Sequence, residues 1–461
     1  MIPVHATKAR PLNFVQVLLL GILGIVPYYS GYVLSAIWLG VFLLSFAGFT
    51  KNRMNWVWYG IAASPGLEVW SRMAKAPYIP DEIGKYYLAW CILLLLIHNI
   101  RRASAPPQHR IGDIVLLFLL PGSIVALAHF NYEQWVFNAL GIFEICALLI
   151  FAARERWEIE NFCRTLQFSL LSIVLMLIFL TIKSPNIFNI EYKLGANSQA
   201  SGGFGSNQVS TILGAGVSVA VLLQLLHRPL FKYALLNYTL IAYLSLRGLL
   251  TFSRGGMIVA MVTILIALSP YIFANIRSAI KYSLIIVGIA LAGLLVFKKA
   301  NDISGNMLLY RYQGETYGTL SGKKEKNWDV VLTGRGRIAS SDWLIFKDNV
   351  LFGAGPGGGK RLREDYGYHG SAAHTEATRL MSEHGIGGII AFLCLLVFPF
   401  SWLRRQRIPQ WKGIIAALFA LSFLTTFHAA VRTNTSIVFY VLAAIPVLLL
   451  ASEENKTKNA G

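Results

Sequence analysis

Charge is scarce in this sequence: only 14% of its 461 residues are Asp, Glu, Lys or Arg, against about 25% in soluble proteins. Acidic residues are the scarcer sign, 22 against 41 Lys and Arg, which leaves a formal net charge of +19. Cysteine is rarer still. Cys91, Cys146, Cys163 and Cys394 lie in or at the edge of apolar runs, without a C-x-x-C pair or a Cys/His spacing that suits zinc. That argues against a disulfide scaffold and a structural zinc site. There is no Asp-x-Asp pair, so a carboxylate-held divalent metal has little support. No small-residue cleavage site follows the first apolar run after Lys8 and Arg10, and we read that run as a retained span. Two glycine patterns fail as nucleotide loops. GAGPGG (353–358) lies outside any predicted strand–turn–helix unit. GGGK (357–360) departs from the phosphate-loop pattern at Ala354 and Arg361.

Apolar residues are abundant, at 55% of the chain. A crossing helix needs roughly 20 of them in a row. Such runs stand near 13–29, 31–49, 55–70, 86–100, 112–130, 135–153, 166–182, 208–226, 231–250, 255–275, 281–298, 386–403, 413–430 and 435–451. They predict an all-α polytopic membrane protein with about 14 spans, or 12 if the shortest do not cross. The run at 55–70 contains Pro65 and Glu68 and reads as a candidate re-entrant segment. Basic clusters fall on alternate connections: Lys51/Arg53, Arg101/Arg102/Arg110, Arg154/Arg156/Arg164, Arg228/Lys232, Arg277/Lys281 and Arg404/Arg405/Arg407/Lys412. Alternation of about 14 spans puts them all on one side, which the positive-inside rule makes cytoplasmic. Clusters scattered in this way set topology; a nucleic-acid partner is not expected.

The opposite side carries two longer connections. The first, 183–207, is rich in Asn, Gly and Ser. The second, 299–385, is too long and too polar to be a mere connector. It divides the chain into a bundle at 1–298, a polar loop at 299–385 and C-terminal helices at 386–461. Within the loop, 338–349 and 374–384 read as short helices, the second closed by Gly385.

Three polar groups stand out. Arg254, in TFSRGG (251–256), sits at the outer end of a predicted span. An arginine there can simply snorkel to the interface. It can also grip phosphate oxygens in a bidentate fork. Arg335 and Arg337, in TGRGR (333–337), precede the first short helix; either is a solvated loop residue or a ligand for the same anion, and Arg335 is the better placed. His374 opens the second short helix. A helix N-terminus disfavours imidazolium, which keeps the ring neutral as a general base requires. Glu376 and Glu383 are candidates to orient it, although a solvated helix face explains Glu376 as well.

TFSRGGM (251–257), TGR (333–335) with FKDNVLFGAGPG (346–357), and HTEATRLMSEHGIGG (374–388) together resemble the O-antigen ligase and Wzy-type polymerase superfamily. Leu380, Glu383, Gly385, Ile386 and Gly388 match the last motif, and FGSNQVS (204–210) is similar to a segment of exopolysaccharide polymerases. The likeness covers roughly the second half of the chain. Thr375 stands where the family has Asn, Ala377 where an aromatic is common, Val350 where it has Pro and Ala339 where it has Trp. The resemblance implies a GT-C-like bundle in the bacterial inner membrane with its site facing the periplasm. It implies a polyprenyl-pyrophosphate-linked glycan donor held by Arg254, Arg335 and Arg337. His374 would be the base for an acceptor hydroxyl, with Glu376 and Glu383 in support and neither metal nor cofactor. The acceptor would be a growing lipid-linked glycan, lipid A core or a protein. A polysaccharide transporter or flippase is the alternative, and it would be expected to carry charges or broken helices deep in its spans.

Overall fold

The computed structural model describes residues 11–101, 105–125, 127, 136–323, 325–326, 335–367, 375–431 and 433–449. It is almost entirely helical. The first helices are α1 (Phe14–Tyr29), α2 (Tyr32–Thr50), α3 (Asn55–Ala74), α4 (Ile83–Arg101), α5 (Ile111–Val125) and α6 (Gly141–Ala152). Then come α7 (Ile159–Lys183), α8 (Ser206–Leu225), α9 (Ala234–Leu250), α10 (Arg254–Ile272) and α11 (Ile276–Ile303). The polar region holds α12 (Met307–Tyr312), α13 (Tyr317–Leu320), α14 (Arg335–Asp348) and α15 (Gly358–Leu362). The chain closes with α16 (Glu376–Arg404), α17 (Pro409–Thr425) and α18 (Thr435–Ala444).

A helix thus stands at each of the fourteen apolar runs. Among the described residues, seven are long and apolar enough to cross a membrane: α2, α4, α7, α8, α10, α11 and α16. These helices suit a lipid bilayer. α11 shows this most plainly, burying only Ala300 while Leu284, Leu291, Leu294 and Leu295 face outward. In lipid, helices are held by close packing rather than by expelled water, so small residues mark the contacts. Gly66 of α3 lies against Ser172 of α7, and Gly214 of α8 against Gly256 of α10.

Several of the basic connections meet at one end of this bundle. Arg156 donates to Pro106 O at 2.9 Å and Arg405 to Gln108 O at 2.7 Å. Leu12 N–H bonds Leu230 O at 2.8 Å, tying the start of the chain to the 228–232 turn. A two-residue parallel pairing of Trp157–Glu158 with Val447–Leu448 closes the same end.

The 55–70 run, the candidate re-entrant segment, forms one unbroken helix, α3, of 20 residues with Pro65 inside. Glu68 is tolerated there because Arg72, one turn on, pairs with it at 2.8 Å and Asn434 N–H donates to it at 3.1 Å. Glu82 joins Arg72 at 3.1 Å and Lys85 at 2.9 Å. Glu144 of α6 is buried close by, its carboxylate oxygens without a hydrogen-bond partner among the described residues. Polar groups are therefore less confined to the long loop than the sequence suggests.

The second short helix does stop at Gly385, but another begins at once. Gly385 has φ 62° and ψ −141° inside α16, a backbone open to glycine and strained for any other residue. Its kink lets Ile386 N–H bond Val350 O at 2.9 Å. A Cβ at Gly385 would stand 2.5 Å from Val350 O and 2.7 Å from Leu351 O. Gly385→Ala should accordingly cost more than about 1 kcal/mol, seen as a lower unfolding temperature of the purified protein in detergent.

Candidate functional site

The end of the bundle opposite the basic connections is organised by the turn before α10. Thr251 N–H and Phe252 N–H bond back to the last turn of α9. Phe252 then takes a left-handed conformation, φ 59°, with its ring fully buried and stacked on Tyr192 at 5.3 Å. That reversal ends one helix and starts the next within a few residues, so Arg254 is presented at the first position of α10. The 204–210 segment holds the turn from below. Ser253 Oγ donates to Asn207 Oδ1 at 2.8 Å and Ser210 Oγ to Ser253 O at 2.7 Å. Two motifs that the sequence shows separately are thus one hydrogen-bonded unit.

Arg335 opens α14. It is half-buried, and burial together with the Arg254 guanidinium lowers its pKa. Arg254 and Arg335, far apart in the chain, are therefore neighbours. Arg337 is exposed two residues further on. His374 lies outside the described residues. Glu376, two residues after it in sequence, is buried rather than solvated, which corrects the expectation of a solvated face. Arg379 Nε donates to it at 3.1 Å and Val431 N–H at 3.1 Å. The same arginine donates to Asn138 O at 2.8 Å and lies 4.0 Å from Glu383. A buried cation here repays its desolvation only because carboxylates surround it.

The glycine run is a clasp for this helix. Ala354 N–H bonds Ser382 O and Gly355 N–H bonds Glu383 O, both at 2.9 Å. Gly353, Gly355 and Gly357 all have positive φ, which the turn needs to wrap so closely around Ser382 and Glu383. Arg363, just past α15, pairs with buried Asp342 of α14, so α14 and α15 are tied together beside the clasp. The run that superficially matches nucleotide loops is spent on packing.

The structure adds residues that the motifs do not flag. Arg311 closes α12 and donates through Nε to Phe252 O at 3.3 Å. Burial, then the Arg254 and Arg335 guanidiniums, lower its pKa to about 10. Three arginines from α10, α12 and α14 hence share one region. Beneath them lies His428, on the turn after α17. Gly255 abuts its ring, so a Cβ there would overlap it. Thr211 Oγ1 donates to Asn207 O at 2.7 Å and therefore accepts from His428 Nε2 at 2.8 Å. Burial, reinforced by Arg335, lowers the His428 pKa to about 4. Neither residue carries a sequence signal: Arg311 sits in plain YRY, and His428 in an apolar tail.

No protein-family model matches the chain, and no curated protein matches it.

The neutral His428 makes stability depend on pH. An unfolded histidine binds a proton near pH 6.5 and the folded one only near 4. Stability is complete above about 6.5 and is lost as pH falls toward 4, by about 1.4 kcal/mol per unit. His428→Gln, which keeps a donor for Thr211, should lose less unfolding temperature than the parent between pH 7 and pH 5. An equal loss in both proteins would exclude His428 as the source.

Proposed function

We propose that the chain is a membrane glycosyltransferase that moves a glycan from a polyprenyl diphosphate to a sugar hydroxyl, outside the cytoplasm. The observation that carries this reading is the meeting of Arg254 and Arg335 across the fold, close enough for each charge to act on the other. Guanidiniums suit phosphate oxygens by geometry as well as charge. The meeting occurs at the bundle end opposite the basic connections. The positive-inside rule then turns it toward the periplasm.

In the proposed reaction the acceptor hydroxyl attacks the anomeric carbon in line. A new C–O bond forms, the bond to the diphosphate oxygen breaks, and configuration inverts. Arg254 and Arg335 bind the diphosphate and absorb the charge that grows on it as it leaves. His374 takes the hydroxyl proton, a step worth about 10²–10⁴ in rate. Glu376 N–H donates to Thr426 O at 3.0 Å, in the turn that carries His428. Its carboxylate is engaged with Arg379 and Val431, so its support to His374 is through the backbone. Glu383 belongs to the clasp, its carbonyl accepting from Gly355 N–H at 2.9 Å, and Arg337 is exposed two residues after Arg335.

A transporter or flippase is the second reading, favoured by the buried Glu68, Lys85 and Glu144 with the partly buried Arg72, since charges inside membrane helices commonly mark ion or proton paths. Purified protein in detergent separates the two, because transfer needs no gradient. Single substitutions Arg254→Ala, Arg335→Ala and His374→Ala should each cut transfer from a polyprenyl-diphosphate glycan at least about a hundredfold with expression unchanged. Near-normal transfer in all three would remove the enzyme reading. In cells, loss of long chains with single repeats retained would mark a polymerase, and loss of every repeat from the core a ligase.

A further inference from the structure

We propose that Arg311 and Tyr312 complete the anion site and make it select a diphosphate over a monophosphate ligand. The inference rests on the reading that Arg254 and Arg335 take the donor's phosphates, and it names two residues that no motif marks.

α12 is short, yet it is firmly placed. Leu308 N–H donates to Ser304 Oγ at 3.2 Å and Leu309 N–H to Asn301 Oδ1 at 2.9 Å, which fastens its start to the last turn of α11. Leu308 is fully buried with Tyr192, Leu250 and Phe252. The Nε of Arg311 is then spent on Phe252 O, in the same strained turn that presents Arg254 two residues later. A guanidinium bonded through Nε has its plane fixed, and its two Nη groups make no hydrogen bond with any described residue. Arg311 and Arg254 are thus held by one piece of backbone and cannot drift apart, although each repels the other.

Tyr312 adds a donor of a different kind. Its hydroxyl is buried with no hydrogen-bond partner among the described residues, and its ring is packed edge-on against Phe297 at 5.4 Å. Burial raises its pKa to about 12 while Arg254 works against that rise, so the hydroxyl keeps its proton and stands near the Arg254 charge. A buried hydroxyl without a partner is costly. A ligand oxygen drawn in by the arginines would satisfy it.

Charge counting decides the ligand class. The groups acting on Arg311 besides burial are both cations. A lipid-linked monophosphate sugar is a phosphodiester with one negative charge and two free oxygens, enough for one fork. A diphosphate offers four free oxygens and two charges, enough for the Arg311 fork, the Tyr312 hydroxyl and the neighbouring positive charge. When the glycan leaves, the diphosphate changes from a diester to a monoester of the lipid, and its terminal phosphate gains about one further negative charge where the three guanidiniums gather. Arg311 would thus be worth most to the leaving group.

The test uses full-length protein in lipid nanodiscs with farnesyl diphosphate and farnesyl monophosphate as probes, binding read by thermal shift and by titration. The parent protein should bind the diphosphate at least about tenfold more tightly. Arg311→Gln should erase most of that preference, Arg311→Lys should keep part of it because charge remains without the fork, and Tyr312→Phe should weaken diphosphate binding several-fold. Variants are compared only where their ligand-free unfolding temperatures match the parent. A parent protein with no diphosphate preference overturns the proposal, as does an Arg311→Gln variant that retains the preference. Preference lost in Arg311→Gln, in a protein that shows no glycan transfer, would uphold this site while removing the glycosyltransferase reading. Transfer lost in Arg254→Ala with the Arg311→Gln preference intact would do the reverse.

Discussion

The candidate site depends on how closely α10 can be gripped by its neighbours. Gly256 lies against Ser210 and Gly214 of α8 on one side, while Gly255 meets His428 on the other. At its far end α10 meets α17 through Pro270 and Gly413. Side chains at these positions would hold the helices apart. Small residues let backbones approach, which is how helices associate in lipid without a hydrophobic drive. The seam fixes where α10 begins, and with it where Arg254 stands relative to Thr211, Asn207 and His428.

Around that fixed point the protein assembles groups that repel one another. Arg254, Arg311 and Arg335 each come from a different helix and share a partly desolvated region. A left-handed phenylalanine and a buried tyrosine hydroxyl without a hydrogen-bond partner among the described residues lie beside them. Strain and like charge of this kind persist only where surrounding structure holds them. That support is visible: Asn207, Ser210 and Ser253 lock the turn, Leu308 pins α12, and Asp342–Arg363 ties α14 to the clasp over α16. Cation and carboxylate are paired throughout the support, in Glu68–Arg72, Arg379–Glu376 and Arg363–Asp342. In the arginine region three cations gather, from α10, α12 and α14.

Much of this was legible beforehand, and the reasons differ by element. Apolar runs near 20 residues have one solution in a bilayer, so the helices stand where hydropathy puts them. Gly385 was legible as a break because glycine alone accepts its conformation. Glu376 misled, because an acidic residue in a helix's first turn reads as solvated, and nothing in its neighbourhood announces that Arg379 and Val431 enclose it. Arg311 was invisible for a related reason. It lies outside every glycine-rich or serine-rich motif, and its importance comes from Phe252, which is distant in sequence. The 55–70 run looked broken because proline and glutamate weigh against a span, and only Arg72 and Asn434 make Glu68 tolerable there.

By itself, then, the sequence determined a helical membrane chain, the alternation of its basic connections, the long polar insertion and the candidacy of Arg254 and Arg335. These follow from local composition and spacing, which act on neighbours in the chain. The tertiary structure decided that those two arginines meet, that Arg311, Tyr312 and His428 join them, and that the glycine run clasps α16 instead of cradling a nucleotide. Such facts arise from contacts between helices remote in sequence, where packing and charge, not local pattern, choose the neighbours.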